Sequence, residues 1–132
     1  MTHIRTARLD LDHTVEAPRM ARRFVTTVLG KWDVRELSIE RAQLLVSELV
    51  SNAVLHADGP IRLVVEEIDG GRAFRVEVCN SGDGQPRMRR ALPEDLSGRG
   101  LQLVDELARG WGSSSDDGQT SVWFEVPTDA AV

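Results

Sequence analysis

A single cysteine, Cys79, stands in the 132 residues. No internal disulfide can form, and the reducing cytoplasm is the expected compartment. Long apolar runs are missing too: none approaches the ~18 residues that a membrane-spanning helix needs. The N-terminus, Met1-Thr2-His3-Ile4-Arg5-Thr6, lacks the apolar stretch of a secretory signal. Nor is there a basic excess. Lys and Arg total 16 against 21 Asp and Glu, for a net charge of −5, which argues against a general nucleic-acid binder working through a basic surface. Cys79 with His3, His13 and His56 gives no zinc spacing. A thiol inside a strand pattern reads as buried and inert. Internal repeats and low-complexity tracts are not apparent. What is present, with 41% hydrophobic residues, is enough for one domain over residues 1–132 with a real core.

The apolar residues recur with two periods. His3 to Leu11 alternates loosely and reads as a strand. Pro18 suits a first helical turn, and Met20, Ala21, Phe24, Val25, Val28 and Leu29 form a helical stripe that Gly30 can cap. A second helix is expected from about Ser38, read as its cap, to about Ala57, with Ile39, Ala42, Val46, Leu49, Val50 and Ala53 as its apolar face. Asp58-Gly59-Pro60 breaks it. Ile61 to Ile68 and Ala73 to Asn80 form a hairpin around Asp69-Gly70-Gly71. Phe74, Val76, Val78 and Asn80 fall on one side of that second strand, so Asn80 points toward the core. Residues 81–98 lack a period and carry Arg87, Arg89 and Arg90, suited to phosphates, an acidic partner or plain solvation. Arg99 to Arg109 reads as a third helix. Trp111 to Ser115 and Thr120 to Val126 make a second hairpin, and 127–132 a short tail. Grouped helices between paired hairpins predict an α+β two-layer sandwich, with helices on one face of a mixed, mostly antiparallel sheet.

Three stretches carry chemistry. On the second helix Glu48, Asn52 and His56 are spaced by four, opposite the apolar stripe. A carboxylate one turn from a carboxamide can orient a hydroxyl and hold a hard cation. Asn80-Ser81-Gly82-Asp83-Gly84 follows a strand, and its glycines let the backbone approach a flat ligand. Gly98-Arg99-Gly100 precedes a helix, where exposed N–H groups and the positive dipole end favour phosphate. Each is weak alone; the order is more specific.

That order resembles the ATP-binding superfamily of gyrase, the histidine-kinase catalytic domains and the mismatch-repair ATPases. Over about Arg19 to Val126 it is most similar to the small anti-sigma-factor serine kinases, in their actinobacterial branch. The match lies in Glu48-Leu49-Val50-Ser51-Asn52-Ala53-Val54-Leu55-His56, and in Gly98-Arg99-Gly100-Leu101-Gln102-Leu103-Val104-Asp105 followed by Trp111-Gly112. The resemblance implies a histidine-kinase-like ATPase fold, with ATP and Mg²⁺ as cofactors. Asn52 would bind the metal, and Glu48 would take a proton from, or orient, the attacking hydroxyl. Gly82, Gly84, Asn80 and Thr120 would border the adenine. Gly98, Arg99, Gly100 and Leu101 would surround the phosphates under a lid at about 85–97. The implied reaction moves the γ-phosphoryl group to a serine of a small antagonist protein, in exchange with a sigma factor. Homodimerisation through a sheet-side surface is implied as well, and no direct nucleic-acid or membrane partner.

One position departs from the family pattern, which has Asp where this chain has Asn80. The amide oxygen still accepts a hydrogen bond, as a neutral partner. Charged hydrogen bonds exceed neutral ones by roughly 1 kcal/mol. The competing expectation is therefore a binding module of the same fold that sequesters a partner with little or no nucleotide. A detached histidine-kinase catalytic domain fits less well, because no helix pair carrying an acceptor histidine is seen. A DNA-remodelling ATPase would need a transducer domain for which the length leaves no room.

Overall fold

The computed structural model describes residues 4–56, 59–81, 106–116 and 118–130. Two helices, α1 (Ala17–Lys31) and α2 (Glu36–His56), lie between strand β1 (Thr6–Leu11) and the hairpin of β2 (Ile61–Ile68) and β3 (Ala73–Ser81). A second hairpin, β4 (Gly110–Asp116) and β5 (Gln119–Pro127), completes the sheet. Its order is β1-β2-β3-β5-β4, and every described pairing is antiparallel. The expected α+β two-layer sandwich is the fold found. Of the third helix, Glu106 and Leu107 are described and helical, and Leu107 and Ala108 pack on the core. The expected lid and most of that helix lie outside the described residues.

The two sequence periods meet in one core. Every second residue of the central strands turns inward: Ile61, Leu63 and Val65 from β2, Phe74, Val76 and Val78 from β3, Val122, Phe124 and Val126 from β5. The helices answer at three- and four-residue steps, with Ala21, Val25, Val28 and Leu29 from α1 and Ala42, Leu45, Val46, Leu49, Val50 and Ala53 from α2. The β2–β3 turn needs left-handed backbone at Asp69, Gly70 and Gly71 (φ 54°, 62° and 91°), and two glycines there keep the strain small.

Two helix ends differ from expectation. Gly30 lies inside α1, and the left-handed residue that ends the helix is Asp33 (φ 58°). The Asp33 N–H donates to the Gly30 carbonyl (3.2 Å) and the Val34 N–H to that of Leu29 (3.1 Å). This is a Schellman end, closed by burial of Val34 beside Leu29. Asp tolerates the left-handed region through its short polar side chain, and Val34 can be buried only if the turn falls here. Ser38 is not the cap of α2: the helix starts earlier, at Glu36. The fully buried Ser38 hydroxyl instead donates to the Pro127 carbonyl (2.6 Å) and accepts the Ala130 N–H (2.9 Å). The expected tail is thus pinned, and the Thr128 carbonyl also accepts the Arg35 N–H (3.0 Å).

Candidate functional site

The pin at Ser38 fixes where the rest of α2 lies. Ser38 sits against Pro127, at the far end of β5, and α2 packs along β3 and β5. A helix rises about 1.5 Å per residue, so Asn52 is about 21 Å along α2 from Ser38. A strand rises about 3.3 Å per residue, so Thr120 is about 23 Å along β5 from Pro127. Helix and strand therefore bring Asn52 level with Thr120. Asn80 is the register partner of Thr120 on one side and of Ile61 on the other. Three predicted site residues, from three separate elements, share one end of the sandwich.

Their burial marks that end as unusual. Among the described residues the buried polar side chains are Ser38, Asn52, Asn80 and Thr120. Ser38 is satisfied at the opposite end. Asn52 and Asn80 are each 4% exposed, and among the described residues the buried Oδ1 of each has no hydrogen-bond partner. A buried acceptor without a donor costs about 1–3 kcal/mol. Thr120 is 6% exposed, and its hydroxyl lies 3.4 Å from that of Ser115.

The placement of Asn52 corrects one expectation. The Glu48-Asn52-His56 stripe is not a face opposite the core. Glu48 and His56 are half-buried, and Asn52 between them is buried. Asn52 stands three residues after Leu49 and beside Ala53, both buried, so the helical repeat carries it to the edge of the apolar stripe. Asn80 does what its strand period predicts. Gly82, Gly84, Gly98, Arg99, Gly100 and Leu101 lie outside the described residues.

A cavity of about 330 Å³ opens at the same strand ends, lined by Asp10, Pro60, Ile61, Arg62, Cys79, Asn80 and Gln119. Asp10 and Arg62 are paired across β1 and β2 at 3.1 Å. Burial, then nearby Glu77, pushes the Cys79 thiol up to about 11. The cavity's chemistry is therefore close to neutral. The sequence reading missed Asp10, Arg62 and Gln119, because only the strand register gathers them, on the sheet face opposite the Asn80 side chain. A larger cleft, about 580 Å³, lies in the helix layer between Arg19, Arg22, Arg23, Thr26, Thr27 and Gln43. Its arginines at i, i+3 and i+4 were a legible signal of a basic helix face. Neither Asn52 nor Asn80 lines this cleft.

The donor set suits a nucleotide and its cation. A neutral carboxamide oxygen is a hard ligand of the type Mg²⁺ accepts when phosphates supply others. A second carboxamide beside a hydroxyl can pair with the edge of a base. Among the described residues no group of three His, Cys, Asp or Glu side chains converges.

The sequence profile of the histidine kinase-like ATPase domain matches residues 11–126. Among curated proteins none matches the chain. Solved structures do. The RsbU and RsbW domains of Rv1364c from Mycobacterium tuberculosis align with a TM-score of 0.71 at 20% identity, over 92% of this chain and 32% of that one. The blue-light activated histidine kinase EL346 of Erythrobacter litoralis aligns at 0.60 and 30% identity, over 73% of this chain and 32% of that one. The SiaB–SiaC complex from Pseudomonas aeruginosa aligns at 0.58 and 14% identity, over 92% and 89%. This chain spans about a third of the length of the first two. At 20% and 14% identity the likeness is one of fold.

Proposed function

Because this chain belongs to the histidine kinase-like ATPase domain family, we propose that it is an ATP- and Mg²⁺-dependent serine kinase of the anti-sigma-factor kind. It would phosphorylate a small antagonist protein and so regulate transcription by partner switching. The observation that carries this reading is the pair of unpaired, buried carboxamide oxygens on Asn52 and Asn80 at one end of the sandwich. The Asn52 oxygen would hold the metal. Asn80 and Thr120 would meet the base, with Gly82 and Gly84 beside it. Gly98, Arg99, Gly100 and Leu101 would surround the phosphates, beneath segment 85–97. Bound ATP with its cation supplies a transferable phosphoryl group and neutralises developing charge. Glu48, one turn before Asn52, would orient the incoming serine hydroxyl and hold its proton on the carboxylate.

A protein partner fits the charge distribution. The cleft between Arg19, Arg22 and Arg23 offers a basic face on a chain of net charge −5. Neighbouring structures support this in kind: one is a SiaB–SiaC complex and another holds an RsbU beside an RsbW domain. The partner of this chain would be an antagonist protein or a sigma factor. One observation favours a second reading: Asn80 is neutral, as befits a module that binds partners and holds nucleotide weakly.

Calorimetric titration with ATP and Mg²⁺, followed by label transfer from γ-labelled ATP to proteins of the source cells, separates the two. The kinase binds ATP and labels one small protein. Glu48→Gln keeps ATP binding and cuts labelling by roughly 10²–10⁴-fold. Binding without any transfer leaves the module; no ATP binding rejects the kinase.

A further inference from the structure

We propose that Asn80 makes the base pocket accept adenine and guanine nucleotides alike, so that this protein draws on ATP and GTP as equivalent ligands. The inference rests on the nucleotide reading above and concerns the base alone. Asn80 lies one residue before the end of β3, between Ile61 and Thr120, and all three are buried on the helix-facing side of the sheet. Its Oδ1 is buried, with no donor among the described residues. Its register partners on that side, Ile61 and Thr120, are both uncharged. Selection there depends on hydrogen-bond pattern.

A carboxamide presents an acceptor and a donor side by side in one plane. Toward adenine, Oδ1 accepts from the 6-amino group and Nδ2 donates to N1. A half-turn of the amide exchanges the two atoms. Toward guanine, Nδ2 then donates to O6 and Oδ1 accepts from the N1–H. Each base receives two bonds, and in each case Oδ1 gains the donor it lacks. Strong discrimination, of roughly 10⁴-fold or more, arises where the wrong ligand leaves buried polar groups unpaired. A rotatable amide leaves none. The neighbouring Thr120 hydroxyl can likewise donate or accept.

Equilibrium titrations at pH 8 with Mg²⁺ and ATP, GTP or CTP test this, on the wild type and on Asn80→Asp. Thermal melting confirms that the variant is folded. ATP and GTP are expected to bind within about fivefold of one another, and CTP to bind more weakly, since a pyrimidine reaches the amide with different spacing. In Asn80→Asp the carboxylate only accepts, and guanine O6 faces an anion. The ATP-to-GTP preference should rise above about tenfold. Wild type that binds ATP but takes GTP more than about 100-fold weaker overturns the inference and leaves the kinase reading intact. An Asn80→Asp preference no different from wild type also overturns it. If neither purine nucleotide binds wild type, the nucleotide reading falls, and this inference with it.

Discussion

Replacing Asn52 with leucine should make the free protein more stable and remove Mg²⁺-dependent nucleotide binding in one step. Asn52 is 4% exposed, and its Oδ1 has no partner among the described residues. Leaving a buried acceptor unpaired costs about 1–3 kcal/mol. Leucine is close to asparagine in length and places apolar atoms at the edge of a stripe made by Leu49 and Ala53. Helix propensity adds a few tenths of a kcal/mol in the same direction. Against this stand the cost of fitting a slightly larger group, up to about 1 kcal/mol, and lost hydration of the amide nitrogen. A net gain of about 1 kcal/mol is expected, or about 3–5 °C in Tm for a domain of this size. Urea denaturation without nucleotide checks it: the midpoint should rise with the slope unchanged. Titration with ATP should then show that the dependence on Mg²⁺ has gone. A loss of more than about 1 kcal/mol would mean that the carboxamide is a structural hydrogen-bonding group. That result, or Mg²⁺-dependent binding like the wild type's, would refute the reasoning.

Four further outcomes follow from particular contacts. Ser38→Ala removes a donor to the Pro127 carbonyl and an acceptor for the Ala130 N–H, and should cost about 1–3 kcal/mol in urea denaturation. Gly112→Ala would set a Cβ 2.7 Å from the Trp123 ring, beneath which the Arg75 guanidinium already stacks at 4.6 Å; overpacking of this kind costs about 1–3 kcal/mol, read as a fall in Tm. The Cys79 thiol, pushed up to about 11, should react with a maleimide at pH 7.5 at least about tenfold more slowly in the folded protein than in urea. The hydrogen bond from Arg5 to Glu67 (2.6 Å) holds the Glu67 carboxyl below its usual range. Its stabilisation is therefore full above about pH 4.3 and is lost as acid titrates the lower folded value. Glu67→Gln should flatten the acid limb of a plot of Tm against pH.

Much of the frame was legible because its signals are local. Alternation in 73–80 gave both a strand and the inward direction of Asn80, which the structure bears out. Asp69-Gly70-Gly71 announced its turn through residues that tolerate left-handed backbone. Asn52 was read on the correct helix but on the wrong side, since a polar residue at the edge of a stripe is assigned to solvent by pattern alone. Asp33 and Ser38 show the same limit. Gly30 looked like the better helix end, yet burial of Val34 moved the turn to Asp33. Ser38 looked like a cap, yet a carbonyl 89 positions away claims its hydroxyl. No local pattern announces a partner that distant. Strand register likewise gathers Asp10, Arg62 and Gln119 at one cavity from three strands.

The span from Ser38 to Asn52 also sets a rule for length changes. One end is bolted to the close of β5 and the other delivers a carboxamide to the opposite end of the sheet. A single residue inserted or deleted within 39–51 would swing Asn52 by about 100° around the helix axis and shift it by about 1.5 Å. Conservative exchanges on the outward side of the same span would leave that alignment untouched. The exposed link at 12–16 is under no such restriction. Related chains that keep the ligand should therefore differ freely in the length of that link and hardly at all between the bolt and the carboxamide.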